Sequence, residues 1–198
     1  MTPPHNASRR TILAALGGLP IGAAVGAFAN DSQAQTNPSA SASKVLVAYF
    51  SRTGNTRVIA KQIQRARSAD LFEIVPAAAY PEDYEQTVAQ AQRERDGNFE
   101  PPLRATVPNI SGYDTVFLGF PIWGQTAPPV IRSFLSAHDL SGKTLVPFIT
   151  HGGYGLGNSL SVVARHARGA RIADTAFSME ADQERRTLDQ VTKWLGAS

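Results

Sequence analysis

Short apolar runs alternate with segments of helical spacing five times between Lys44 and the end of the chain, and this alternation limits the fold more than any other feature of the sequence. The runs are KVLVAYF (44–50), LFEIV (71–75), TVFLGF (115–120), KTLVPFIT (143–150) and RIADTAF (171–177). Such runs suit strands buried on both faces. Between them the period changes. Val58, Ile59, Ile63 and Ala66 predict a helix over 55–67, and Tyr84, Val88 and Ala91 predict a polar-faced helix over 81–95. Further helices are predicted over 128–137, where two prolines suit a first turn, over 156–168, and over 182–195 with Leu188, Val191 and Leu195 on one face. Residues 96–113 hold Gly97, Pro101, Pro102, Pro108 and Gly112 and read as a long connection. Pro147 inside the fourth run weakens it as a central strand. Strands and helices in strict turn imply an α/β fold, a parallel sheet with helices on both faces. Ligands of such sheets bind outside the carboxyl ends of the strands, near the point where the strand order reverses.

The segments after the strands therefore decide function. SRTGNT follows the first strand and opens a helix. Backbone N–H groups at a helix start favour an anion. Ser51, Thr53 and Thr56 add hydroxyls, Asn55 adds an amide, and Gly54 lets the backbone turn closely. The loop has no lysine and no G-x4-G-K-[ST] spacing, as a nucleoside triphosphate site would require, and no G-x-G-x-x-G for a dinucleotide. A cradle of neutral donors suits one phosphate monoester, although the same hexapeptide also reads as an ordinary helix cap. PIWGQTAP follows the third strand, and its Trp123 offers a flat apolar face or packs in the core. HGGYGLG follows the fourth. Its glycines let backbone approach a planar ligand. Tyr154 offers a second ring or is a surface tyrosine, and a local structural hydrogen bond is the favoured role for His151. Together the three loops describe a site for a phosphorylated, flat heteroaromatic molecule.

These loops carry a family resemblance. VAYFSRTGNTRVIA, YDTVFLGFPIWGQTAPP and LSGKTLVPFITHGGYGLGNS, in this order on alternating strands, resemble the flavodoxin family over nearly all of the chain from Lys44. The resemblance implies a flavodoxin-like three-layer α/β sandwich, a five-stranded parallel sheet of order 2-1-3-4-5, with non-covalently bound FMN. Carried over, Ser51, Thr53, Gly54, Asn55 and Thr56 hold the FMN phosphate, while Arg52 lies in the loop with its side chain free to point to solvent. Pro121, Ile122, Trp123 and Gly124 form the loop against the isoalloxazine. His151, Gly152, Gly153, Tyr154 and Gly155 form the loop near its pyrimidine edge, mostly through backbone N–H groups. The implied activity is electron transfer to a redox partner protein or a small-molecule acceptor. An FMN-dependent quinone-type reductase fed by a nicotinamide, or a binding module that has lost its flavin, are the alternatives.

The amino-terminal segment is of another kind. Arg9 and Arg10 precede an uncharged stretch, 11–29, rich in Gly and Ala. That order is the order of an export signal, and SRRTIL resembles the twin-arginine type. The expected signal is 1–34, cut after Ala29 or Ala34, with a linker over 35–43 and the folded domain over 44–198. A periplasmic or exported location follows, the alternative being an anchor that stays in the membrane. Residues 1–34 hold Arg9, Arg10 and Asp31, so without them the 19 basic and 16 acidic side chains fall by two and by one, and net charge goes from +3 to +2. This balance gives no reason to expect nucleic acid as a partner, and it departs from the strongly acidic character of electron-carrying flavodoxins. The chain has no cysteine, which excludes disulfides, thiolate catalysis and cysteine-held metal. No metal site is expected.

Overall fold

A computed structural model describes residues 44–180 and 184–197. The expected export signal and linker lie outside the described residues, as does the first part of the helix expected over 182–195. Five strand positions form one parallel sheet. Strand β1 (Val45–Tyr49) lies between β2 (Asp70–Glu73) and β3 (Thr115–Pro121), followed by β4 (Thr144–His151) and β5 (Arg171–Ile172), giving the order 2-1-3-4-5. Strand β6 (Phe177–Glu180) also pairs with β4, beyond β5.

The side-chain alternation of the strands builds two apolar layers. Leu46, Ala48, Val116, Leu118, Phe120, Leu145 and Ile149 point one way, onto helix α3 (Pro129–Ala137) through Val130, Ile131 and Phe134, and onto α4 (Ser159–His166) through Val163. Val47, Tyr49, Phe117, Val146 and Phe148 point the other way, onto α1 (Asn55–Arg67) through Ile59, Ala60 and Ile63, and onto α5 (Glu184–Ala197) through Val191. Helix α4 is shorter than the sequence pattern suggests. The stretch before it carries Gly155 and Gly157 at positive φ, which ends any helix there.

The expected single strand over 171–177 is instead two short strands. Phe148 pairs with Phe177 and Leu145 with Ile172, so three steps along β4 face five on its neighbour, and residues 174–176 leave the sheet. Pro147 supplies the reason. The carbonyls of Lys143 and Leu145 accept from Arg171 and Ala173, so odd-numbered residues of β4 turn their polar groups toward the fifth position. Pro147 is one of these and has no N–H to give. The ladder lapses where its donor is missing, while the pairing of Pro147 with Leu118 in β3 needs none.

Helix α2 (Tyr84–Asp96) also departs from expectation. It begins at Tyr84, with Asp83 Oδ1 accepting from the N–H of Gln86 at 2.9 Å as its cap. Its buried residues are Thr87, Ala91 and Glu94, while Tyr84 and Val88 are exposed. The connection after α2 is ordered by a bridge between Pro76 and Leu103 and by a short 3-10 turn, Ile110–Gly112.

Candidate functional site

Strand β1 leads leftward through α1 to β2, and β3 leads rightward to β4. The loops after β1 and β3 therefore diverge at the β1/β3 boundary, and a crevice opens between them. A cavity of about 850 Å³ occupies this position, within the ordinary range for small-molecule sites. Its walls are the loop 51–56, the cavity-facing side of α2, the loop 121–126, and residues from the end of β4 and the loop after it.

The first loop combines a cap with a set of free donors. Ser51 Oγ accepts from the N–H groups of Gly54 at 3.2 Å and Arg57 at 3.3 Å, so it caps α1. Gly54, at φ 96°, makes the turn into the helix, a conformation that side chains disfavour. The N–H groups of Thr53, Asn55 and Thr56 have no protein acceptor among the described residues. Thr53 and Asn55 are exposed and border the cavity. The Thr56 hydroxyl is buried and shares a 2.9 Å hydrogen bond with that of Thr150, the penultimate residue of β4. The Arg52 side chain is not simply in solvent: its guanidinium donates to the backbone carbonyl of Glu82 and ties the loop to the start of α2.

The loop after β3 turns sharply, with Gly124 and Gln125 at positive φ and Trp123 and Thr126 exchanging backbone hydrogen bonds. Trp123 stands at the cavity wall and is also packed inward. It lines the cavity, and it packs edge-on against Phe50 at 5.2 Å and Tyr80 at 4.9 Å. Tyr80 in turn donates to Glu94 at 2.7 Å. Burial and this carboxylate push the Tyr80 phenol well above the usual tyrosine range, so it stays a neutral donor. Pro121, Ile122 and Gly124 also border the cavity.

In the loop after β4, His151 and Gly152 reach the cavity. Nδ1 of His151 accepts from the N–H of Gly153 at 3.2 Å, a local structural bond. Gly153, Tyr154 and Gly155 are not among the lining residues, and Tyr154 is 86% exposed. This loop is fixed to the β3 loop at Gly157. The Asn158 N–H donates to the Gln125 carbonyl at 3.0 Å, and a Cβ on Gly157 would lie 1.9 Å from that oxygen.

Several lining residues lie outside the three loops singled out from sequence: Tyr84, Thr87, Val88, Ala91, Gln92 and Arg95, all on α2. Their spacing marks one helix face, and the same period was readable as a core-facing pattern; nothing local distinguishes the two. No Asp or Glu lines the cavity, where the strongly basic side chains are Arg52 and Arg95. Among the described residues no group of three or more His, Cys, Asp or Glu could hold a metal ion.

Residues 44–197 match the sequence pattern of the flavodoxin family. The chain belongs to the flavodoxin family. A candidate flavoprotein from Bacteroides eggerthii is similar to this flavodoxin-family chain at 34% identity and a TM-score of 0.65, over 78% of this chain and 97% of the other. A second, from Bacteroides uniformis, is 28% identical with a TM-score of 0.66, over 76% and 98%. A flavoprotein from Lactobacillus acidophilus, solved in complex with FMN, shares the fold at 22% identity and a TM-score of 0.63, over 77% and 99%. No curated protein sequence matches the chain.

Proposed function

We propose that this flavodoxin-family chain binds FMN non-covalently and carries electrons through it. The observation that carries the reading is the set of N–H groups of Thr53, Asn55 and Thr56, which lack protein acceptors at the start of α1 and border a cavity with no lining carboxylate. A phosphate monoester satisfies such donors, and no lining acid repels it. The FMN complex of the Lactobacillus acidophilus flavoprotein supports the same cofactor. When bound, the flavin supplies the redox chemistry. The chain's part is to hold it. Thr53, Asn55 and Thr56 grip the phosphate, Trp123 offers the ring system an apolar face stiffened by Phe50 and Tyr80, and the loops around His151 and Gly124 limit water. Electrons pass on to a redox partner protein or a small-molecule acceptor.

A second reading, an FMN-dependent oxidoreductase acting on a small molecule, is favoured by Tyr84 and Val88. These apolar side chains are 66% and 42% exposed and border the cavity from α2. A binding module without flavin is disfavoured by the complete donor set. We also infer from Arg9-Arg10 and the uncharged stretch behind them that the protein is exported by the twin-arginine route and does not remain inserted in a membrane. Among the described residues no helix is long and apolar enough to cross one.

The double variant Thr53→Val with Thr56→Val tests the share of the two hydroxyls in the phosphate assignment. Each loss is expected to weaken FMN binding by about 1–3 kcal/mol, read as a rise in the dissociation constant by fluorescence titration. Thr53→Val alone alters only an exposed side chain and separates lost affinity from lost fold. Unchanged affinity in both variants contradicts a part for the two hydroxyls. The N–H groups, which valine keeps, are tested by riboflavin, and binding of riboflavin as tight as that of FMN contradicts the phosphate assignment itself.

A further inference from the structure

Helix α2 runs the length of the cavity. Its start is tied to the phosphate loop through Arg52 and the Glu82 carbonyl, and Tyr84, Val88, Gln92 and Arg95 all line the same space. Eleven residues at about 1.5 Å each place Arg95 about 16 Å farther along the helix than Tyr84. Arg95 is thus carried away from the phosphate loop and onto the loop after β3. Its Nη1 lies 2.5 Å from where a Cβ on Gly124 would be, so the guanidinium covers that glycine. Nε is engaged by Asp96 Oδ1 at 3.1 Å. The two Nη groups donate to no protein acceptor among the described residues. The Arg95 side chain is 37% exposed, so its charge is only partly screened.

We propose that Arg95 is the potential-setting residue of the site: its Nη edge faces the flavin ring system and favours reduced over oxidised FMN. This rests on the FMN reading above. The argument is electrostatic. A ring system that takes up electrons gains negative charge, and a fixed cation beside it stabilises that form more than the neutral one. No lining carboxylate opposes it. Asp96, on the Nε side, offsets part of the charge and leaves the Nη edge as the nearest positive group to Gly124. The cavity is therefore built to make bound flavin a better electron acceptor than a cavity lined by acids would.

The test is a spectroelectrochemical titration of the full-length protein with bound FMN, comparing Arg95→Ala, Arg95→Lys and, as a control for lost charge, the exposed Arg65→Ala on α1. Arg95→Ala is expected to lower the affinity for reduced relative to oxidised FMN about tenfold, which is a fall of about 30 mV in the two-electron midpoint potential. Arg95→Lys is expected to keep most of the potential, and Arg65→Ala all of it, with oxidised FMN bound about as tightly in every variant. A potential in Arg95→Ala equal to that of the parent, or a fall no larger than in Arg65→Ala, overturns the proposal while the FMN reading stands. A parent protein that binds no FMN overturns both.

Discussion

Gly119 has no room for a methyl group. It pairs with Phe148 across β3 and β4, and the phenyl ring, fully buried, lies 2.0 Å from where a Cβ would sit. A glycine in a central strand is normally a weakness, but here it makes space for a fully buried phenyl ring. Gly119→Ala is expected to force the ring out of place and destabilise the fold by about 1–3 kcal/mol, read as a lower urea midpoint; an unchanged midpoint would show that the layer repacks freely. At this scale the sequence was legible where chemistry is local. SRTGNT places its donors within six consecutive residues, so their convergence on one turn follows from the strand and helix on either side. Thr150 was not legible as a partner of Thr56, because the two meet across 94 residues of chain. Arg95 was not legible either, since only the placement of α2 brings it over Gly124.

Among the elements, α2 departs furthest from the sequence pattern. Tyr84, Val88 and Ala91 have the spacing of a core face, yet the helix turns Tyr84 and Val88 to the cavity and is held by polar contacts instead. Gln90 and Tyr80 donate to Glu94, and buried Arg132 on α3 donates to the carbonyls of Glu94 and Phe99, which closes the carboxyl end of α2. The period was readable; which side packed inward was not, because the buried side, Thr87, Ala91 and Glu94, is no more apolar than the side that carries Tyr84 and Val88. Tyr80 gives a pH prediction. Its folded pKa is raised above the ordinary 10.0 by burial and by Glu94. Its contribution to stability is therefore whole below about pH 10 and is lost as pH climbs higher. Tyr80→Phe is expected to cost about 1.5–3 kcal/mol at neutral pH, the range for a hydrogen bond to a charged group. It should also reduce, without abolishing, the alkaline fall in melting temperature, because Tyr49 and Tyr113 are raised as well. An identical alkaline fall in the variant would remove Tyr80 from the account. The fifth strand makes the opposite point. Pro147 was visible as a liability, but its cost falls on one neighbour only, and the sheet spends it at an edge.

For the whole molecule, the parallel sheet follows from alternation, its order was implied by the family resemblance, and the site follows from the order: once β1 and β3 lie side by side, their loops must diverge, and the loop after β1 and Trp123 come to border one crevice. The sheet type was legible because strands and helices in strict turn leave parallel neighbours joined by crossover helices; the order itself was legible only through the three loop motifs that carry the resemblance. The proposed export signal is tested at the same scale. Arg9→Lys with Arg10→Lys is expected to hold the protein in the cytoplasm, as judged by fractionation; delivery of the variant to the periplasm at the parent level would contradict that route. The central claim, that the cavity holds FMN, is tested most directly by the visible absorption spectrum of the protein purified without added cofactor and then titrated with FMN. The account predicts a flavin spectrum, present on purification or gained on titration at one FMN per chain and lost when the protein is denatured and filtered. A correctly folded protein that stays colourless and leaves the spectrum of added FMN unchanged would contradict it.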